Sequence, residues 1–90
     1  MTSKRRTNDQ IFSEILKLCI KGTNKTRIIY QANLNSVKVK SHLDNLMKNG
    51  FIEAVRDGSR VIYKTTPQGL DLKGRFEQFH GELDKLYAFV

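Results

Sequence analysis

The chain has 90 residues, which suits one domain with a single core, and its 39% apolar share excludes wholesale disorder. Cys19 is the sole cysteine, which excludes an intrachain disulfide and points to a reducing compartment. No apolar run reaches the roughly 18 residues that cross a membrane, and the charges at Lys4, Arg5 and Arg6 have no apolar region behind them as a signal peptide requires. The expectation is a cytoplasmic protein with no membrane partner.

The net charge of +7 is unevenly spread. Residues 1–20 carry +2, residues 21–64 carry +6 and residues 65–90 carry −1. The middle of the chain attracts a polyanion and the end does not.

In chain order, residues 1–7 read as a short basic arm. A first helix is expected over residues 9–21, capped by Asn8 or Asp9 and ended by Gly22. Ile11, Phe12, Ile15, Leu16, Leu18 and Cys19 form its apolar stripe, so Cys19 belongs to the core. A short second helix covers residues 25–32, with Thr23 or Asn24 as cap and Ile28, Ile29 and Ala32 buried. Asn33-Leu34-Asn35 is a tight connection. A third helix starts at Ser36 as N-cap and stops at Asn49-Gly50. Val39, Leu43, Leu46 and Met47 share its inner face, and Val37, Lys38, Ser41, Asn45 and Lys48 share the opposite one, with Asp44 at the edge.

Residues 51–65 hold two β-rich runs flanking Asp57-Gly58, a hairpin signal. Thr66-Pro67 reads as N-cap and first position of a last helix reaching about Tyr87. Leu72, Phe76, Phe79, Leu83, Leu86 and Val90 repeat on it at the a/d spacing of a coiled coil, with Gly74 and Gly81 opposite, and are the residues expected at a dimer interface; the alternative is that this stripe folds back on its own domain.

Helix, helix, helix and hairpin, with a short turn between the second and third helices, make a winged helix-turn-helix: a mainly α fold with a small β-hairpin and a long C-terminal helix. The division expected is a basic arm (1–7), a DNA-binding domain (8–66) and a dimerisation helix (67–90). The major groove of B-DNA admits one α-helix, here residues 36–49, and the hairpin acts as the wing. The residues expected on double-stranded DNA are Lys25 and Arg27 at the start of the second helix, Ser36, Lys38, Lys40, Ser41, Asn45 and Lys48 on the third, and Arg56 and Arg60 on the hairpin. Two alternatives use the same fold: a protein-interaction module and RNA binding.

Three stretches resemble a family of archaeal winged-helix proteins. They are Lys25-Thr26-Arg27-Ile28-Ile29-Tyr30 followed by Ala32-Asn33-Leu34, then Leu46-Met47-Lys48-Asn49-Gly50-Phe51-Ile52, and Thr65-Thr66-Pro67-Gln68-Gly69-Leu70. The resemblance covers roughly residues 9–75. It implies a small basic DNA-binding protein of archaeal origin, with a transcription-regulator or chromatin-type role on the nucleoid. It also implies a homodimer joined by a C-terminal antiparallel coiled coil.

No catalytic set is present, and no cofactor or small-molecule substrate is expected. His42 and His80 lack metal-ligand spacing to each other or to Cys19, and no glycine-rich phosphate loop occurs. His42, at the border of the core face, is expected to pack or to meet a phosphate.

Overall fold

The expected order of elements is found in a computed structural model, which describes residues 7–88. It runs α1 (Asn8–Leu18), α2 (Lys25–Ala32), α3 (Ser36–Lys48), β1 (Ile52–Asp57), β2 (Arg60–Thr65) and α4 (Pro67–Tyr87). The basic arm, apart from Thr7, and Val90 lie outside the described residues.

Helix α1 begins one residue earlier than its composition suggests. Thr7, not Asn8 or Asp9, is its cap: the Thr7 hydroxyl accepts the Gln10 N–H at 3.2 Å, and the Gln10 side chain accepts the Thr7 N–H at 2.9 Å. This reciprocal pair satisfies two orphan donors at once, which neither Asn8 nor Asp9 can match from inside the first turn. The helix also ends earlier, at Leu18 rather than Lys21. Tertiary pairing takes over there: the Cys19 carbonyl accepts N–H groups from Gly22 and Thr65, at 3.1 and 3.0 Å. Gly22 then turns the chain at φ +86° and Thr23 enters an antiparallel bridge with Tyr63.

Asn24 caps α2 by accepting the Arg27 N–H at 2.9 Å. Asn33 ends it in the left-handed region (φ 53°), a conformation asparagine tolerates better than most residues. The cap of α3 is Asn35, whose side chain accepts the Lys38 N–H at 2.8 Å; Ser36, expected in that role, is the first helical residue. An asparagine thus stands at each end of the turn, with half-buried Leu34 packed on the core between them.

The hairpin closes at Asp57↔Arg60 through Gly58-Ser59. Gly58 takes φ +64°, and Ser59 keeps a negative φ, the pattern of a type II′ turn. The base of the wing is held by the Thr23 bridge, with N–H to carbonyl distances of 3.0 and 2.7 Å.

Ile11, Ile15, Leu16 and Cys19 of α1, Ile28 and Ala32 of α2, Val39, Leu43 and Leu46 of α3, and Ile52 of β1 are buried. Each large side chain so covered contributes roughly 1.5–3 kcal/mol. Cys19 lies fully inside, and burial pushes its thiol up to about 12. Helix α4 starts on Thr66, whose hydroxyl accepts the Gly69 N–H at 3.1 Å and donates to the Gly50 carbonyl at 2.6 Å. Gly69 is buried against Phe51 so closely that a Cβ there would overlap the Phe51 carbonyl oxygen. That approach seats the first turns of α4 on the core, where Leu72 and Phe76 pack.

Candidate nucleic-acid interface

The exposed face of α3 is a polar ridge with one apolar member. Lys38, Ser41, Asn45 and Lys48 are exposed, and Val37 stands 76% open among them. Val37, Ser41 and Asn45, four residues apart, line one shallow depression together with Lys40 and Asp44. Lys40 differs from the other lysines of the helix: its ammonium lies 3.0 Å from the Asp44 carboxylate, so its charge is partly offset. Ser36 is exposed in the first turn.

His42 sits at the inner edge of this helix. Its ring meets Phe12 edge-to-face with centroids 4.9 Å apart, so packing is its observed role. Burial, and then the nearby Lys38 charge, hold its pKa below the ordinary histidine value. Its Nδ1 is buried without a hydrogen-bond partner.

The second group of expected residues gathers where α2 meets the wing. Lys25 and Arg60 line one cleft with Asn24, Thr26, Val61 and Tyr63. The Thr23–Tyr63 bridge creates this cleft by drawing β2 beside the start of α2. Asn24, Thr26 and Tyr63 carry no sign of this place in the sequence, because a backbone bridge between residues 40 apart has no local signature. Arg27 is exposed on the same first turn, but its N–H is already taken by Asn24.

The two hairpin arginines do not project from one side. Residues paired directly across an antiparallel ladder share a face, and neighbours along a strand alternate. Arg56 pairs with Val61 and Arg60 with Asp57, so Arg56 and Arg60 project to opposite faces of the wing. Both are exposed.

The stripe of α4 also divides. Leu72 and Phe76 are half-buried on the core of their own domain. Beyond them Phe79 is 51% and Leu86 68% exposed, and Leu83 is half-buried. Lys73 bonds Glu77 at 2.8 Å and Arg75 bonds Asp71 at 2.9 Å along the flanks. The Lys73 hydrogen bond holds the Glu77 carboxyl below its ordinary range. Among the described residues no group of three His, Cys, Asp or Glu side chains could hold a metal ion, and no helix is long and apolar enough to cross a membrane.

The winged helix-turn-helix family model matches residues 5–84. Comparison with curated protein sequences gives no match. Among solved structures, Sso10a-2, a DNA-binding protein of Sulfolobus solfataricus, superposes with a TM-score of 0.85 at 32% identity, over 92% of this chain and 87% of its own. The transcriptional regulator BldR of the same organism superposes at 0.77 with 16% identity, over 89% of this chain and 61% of its own. A mutant of ZitR of Lactococcus lactis, solved in complex with DNA, superposes at 0.71 with 16% identity, over 97% of this chain and 61% of its own. The last two share the fold, and this chain spans about three fifths of their length. The family match over most of the chain and the 32% identity to Sso10a-2 make this chain a member of the winged helix-turn-helix family, in the archaeal group to which Sso10a-2 belongs.

Proposed function

We propose that the chain is a non-enzymatic double-stranded DNA-binding regulator that works as a homodimer. The observation that carries this reading is the face of α3. It presents Lys38, Ser41, Asn45 and Lys48 to solvent on a helix whose other side is locked into the core. Lysines there position the protein on phosphates, and the short polar side chains reach base edges. Arg60 and Lys25 form a second contact from their shared cleft, with Arg27 beside it. The +6 balance of residues 21–64 supports the same surface. So do the relatives: Sso10a-2 is a DNA-binding protein, and ZitR has been solved on DNA.

The dimer rests on the far half of α4. Phe79, Leu83 and Leu86 continue the a/d spacing past the point where the chain's own core ends, and a soluble protein seldom leaves such a stripe open. The acidic balance of residues 65–90 keeps this seam apart from the polyanion. A cytoplasmic place on the nucleoid follows from DNA as partner.

The test is a mobility-shift series with duplex DNA, duplex RNA of the same sequence and no nucleic acid, each at two salt concentrations. Retardation of duplex DNA that weakens steeply with salt is expected. Equal or tighter binding to the RNA duplex supports the RNA reading instead. Binding to neither leaves the fold as a protein-interaction module.

A further inference from the structure

One apolar side chain, Val37, stands on the otherwise polar exposed face of α3. Val37 is 76% exposed, so it adds almost nothing to the core. A β-branched residue also lowers helix propensity, by several tenths of a kcal/mol relative to alanine. Its neighbours on the face are polar or charged: Lys38, Ser41, Asn45 and Lys48. Val37 stands in the first turn of α3, directly after Ser36, at the end of the helix where a helix-turn-helix protein touches base edges. It borders the depression lined by Ser41 and Asn45, one and two helical turns further on.

From this placement we infer that Val37 is a specificity residue that packs against the C5-methyl group of thymine in the major groove. The major-groove edges of the four bases offer hydrogen-bond donors and acceptors, and thymine alone adds an apolar group. A branched apolar side chain without donors or acceptors can gain from that methyl and from no other base-edge feature. Cytosine at the same place sets an amino donor against the valine and leaves it unpaired. Uracil differs from thymine by the methyl alone, so the same contact lets the protein separate a thymine duplex from its uracil counterpart. The inference deepens the DNA-binding reading and rests on it.

The experiment measures binding to one mixed-sequence 40-base-pair DNA duplex in two forms, with thymine and with every thymine replaced by deoxyuridine, at a single salt concentration. The wild type and Val37→Ser are compared. The substitution is exposed, so the thermal melt should not move by more than a degree or two. Each contacted methyl is worth about fourfold in affinity, the equivalent of roughly 0.8 kcal/mol per buried carbon. The wild type is expected to prefer the thymine duplex about fourfold or more, and Val37→Ser to bind both forms within twofold. Equal affinity of the wild type for the two forms overturns the assignment while leaving DNA binding intact. A Val37→Ser protein that keeps the preference overturns it too, because the methyl is then read by another side chain. A wild type that binds neither form overturns the DNA-binding reading and this inference with it.

Discussion

The Thr65 hydroxyl donates to the Leu16 carbonyl at 2.7 Å, a buried hydrogen bond between residues 49 apart. It ties the last turn of α1 to the end of the wing, just where α4 begins. Thr65 is 6% exposed, and its N–H reaches the Cys19 carbonyl at 3.0 Å in the same knot. The end of α1, the return strand of the wing and the start of α4 therefore form one joint.

Thr65→Val keeps the shape of the side chain but removes the donor, leaving the Leu16 carbonyl buried without it. An orphaned buried acceptor costs about 1–3 kcal/mol. In a domain of this size that lowers Tm by roughly 4–8 °C per kcal/mol. Thr65→Ser, which keeps the hydroxyl, should lose distinctly less. Thermal melts followed by circular dichroism compare the three proteins, and a valine variant as stable as wild type means that this bond does not hold the joint.

The glycines of α4 should respond in opposite directions. Gly69→Ala drives a Cβ into the Phe51 carbonyl oxygen, which belongs to backbone and cannot swing aside. Overpacking of this kind costs about 1–3 kcal/mol or more. Gly74 and Gly81 face open space, so alanine at each should stabilise the helix by up to about 1 kcal/mol. Denaturant titrations of the three single variants read the contrast. If Gly69→Ala is neutral, α4 does not sit this close to the Phe51 backbone.

Much of this fold is legible in the sequence because local signals agree with one another. The bounds of α2 and α4 follow from Asn24 and from Thr66-Pro67, and the apolar spacing of α1 and α3 marks their buried sides. The cap of α1 is also written there, since Thr7-Asn8-Asp9-Gln10 has the capping-box spacing, although the neighbouring Asn8 and Asp9 are equally good cap formers by type. Other features depend on tertiary pairing. Nothing near Thr23 announces its bridge to Tyr63, so the sequence shows neither the early end of α1 nor the cleft shared by Lys25 and Arg60. The heptad spacing of α4 likewise carries no mark between Phe76 and Phe79, although the core of the domain covers the first and not the second.

Acid should weaken the fold through His42. Burial and the Lys38 charge depress its pKa in the folded chain, while the unfolded chain keeps the ordinary value near 6.5. The unfolded state then binds the proton first, so stability present above that pH is lost as pH falls from about 6.5 through the folded value. His42→Gln should flatten this part of the pH profile. Lys38→Ala should move the folded-state titration upward, because it removes the second cause of the shift. Urea melts between pH 7.5 and 5 measure both, alongside direct NMR titration of the imidazole.

The lysines of α3 should differ in what they give to DNA. Lys38→Ala with Lys48→Ala is expected to lower the slope of log affinity against log salt by about 1.8, at roughly 0.9 for each phosphate no longer neutralised. Lys40→Ala should change it less, since Asp44 already holds that ammonium. On the wing, Arg60→Ala should weaken binding more than Arg56→Ala, because Arg60 lines the cleft with Lys25 and Arg56 does not. Fluorescence anisotropy over a salt series separates these variants. An unchanged slope in the lysine double variant would take both residues off the phosphates.

Assembly offers the sharpest contrast along one helix. Phe79, Leu83 and Leu86 should hold a two-fold dimer, whereas Leu72 and Phe76 pack, half-buried, against the protomer's own core. In a symmetric interface each side chain is buried twice, once on each copy. Three large residues per chain, at roughly 1.5–3 kcal/mol for full burial, are of the order needed to offset an association cost of about 4–15 kcal/mol. Val90 continues the same spacing beyond the described residues. Sedimentation equilibrium at tens of micromolar should give twice the 10.4 kDa chain mass for wild type. Phe79→Glu with Leu83→Glu should give the single-chain mass with the thermal signature of the winged-helix core retained. Phe76→Glu should instead lower Tm sharply, because its charge enters the domain itself, and that difference distinguishes failed association from failed folding. A wild type that sediments at 10.4 kDa leaves Phe79 and Leu86 without a partner and refutes the dimer.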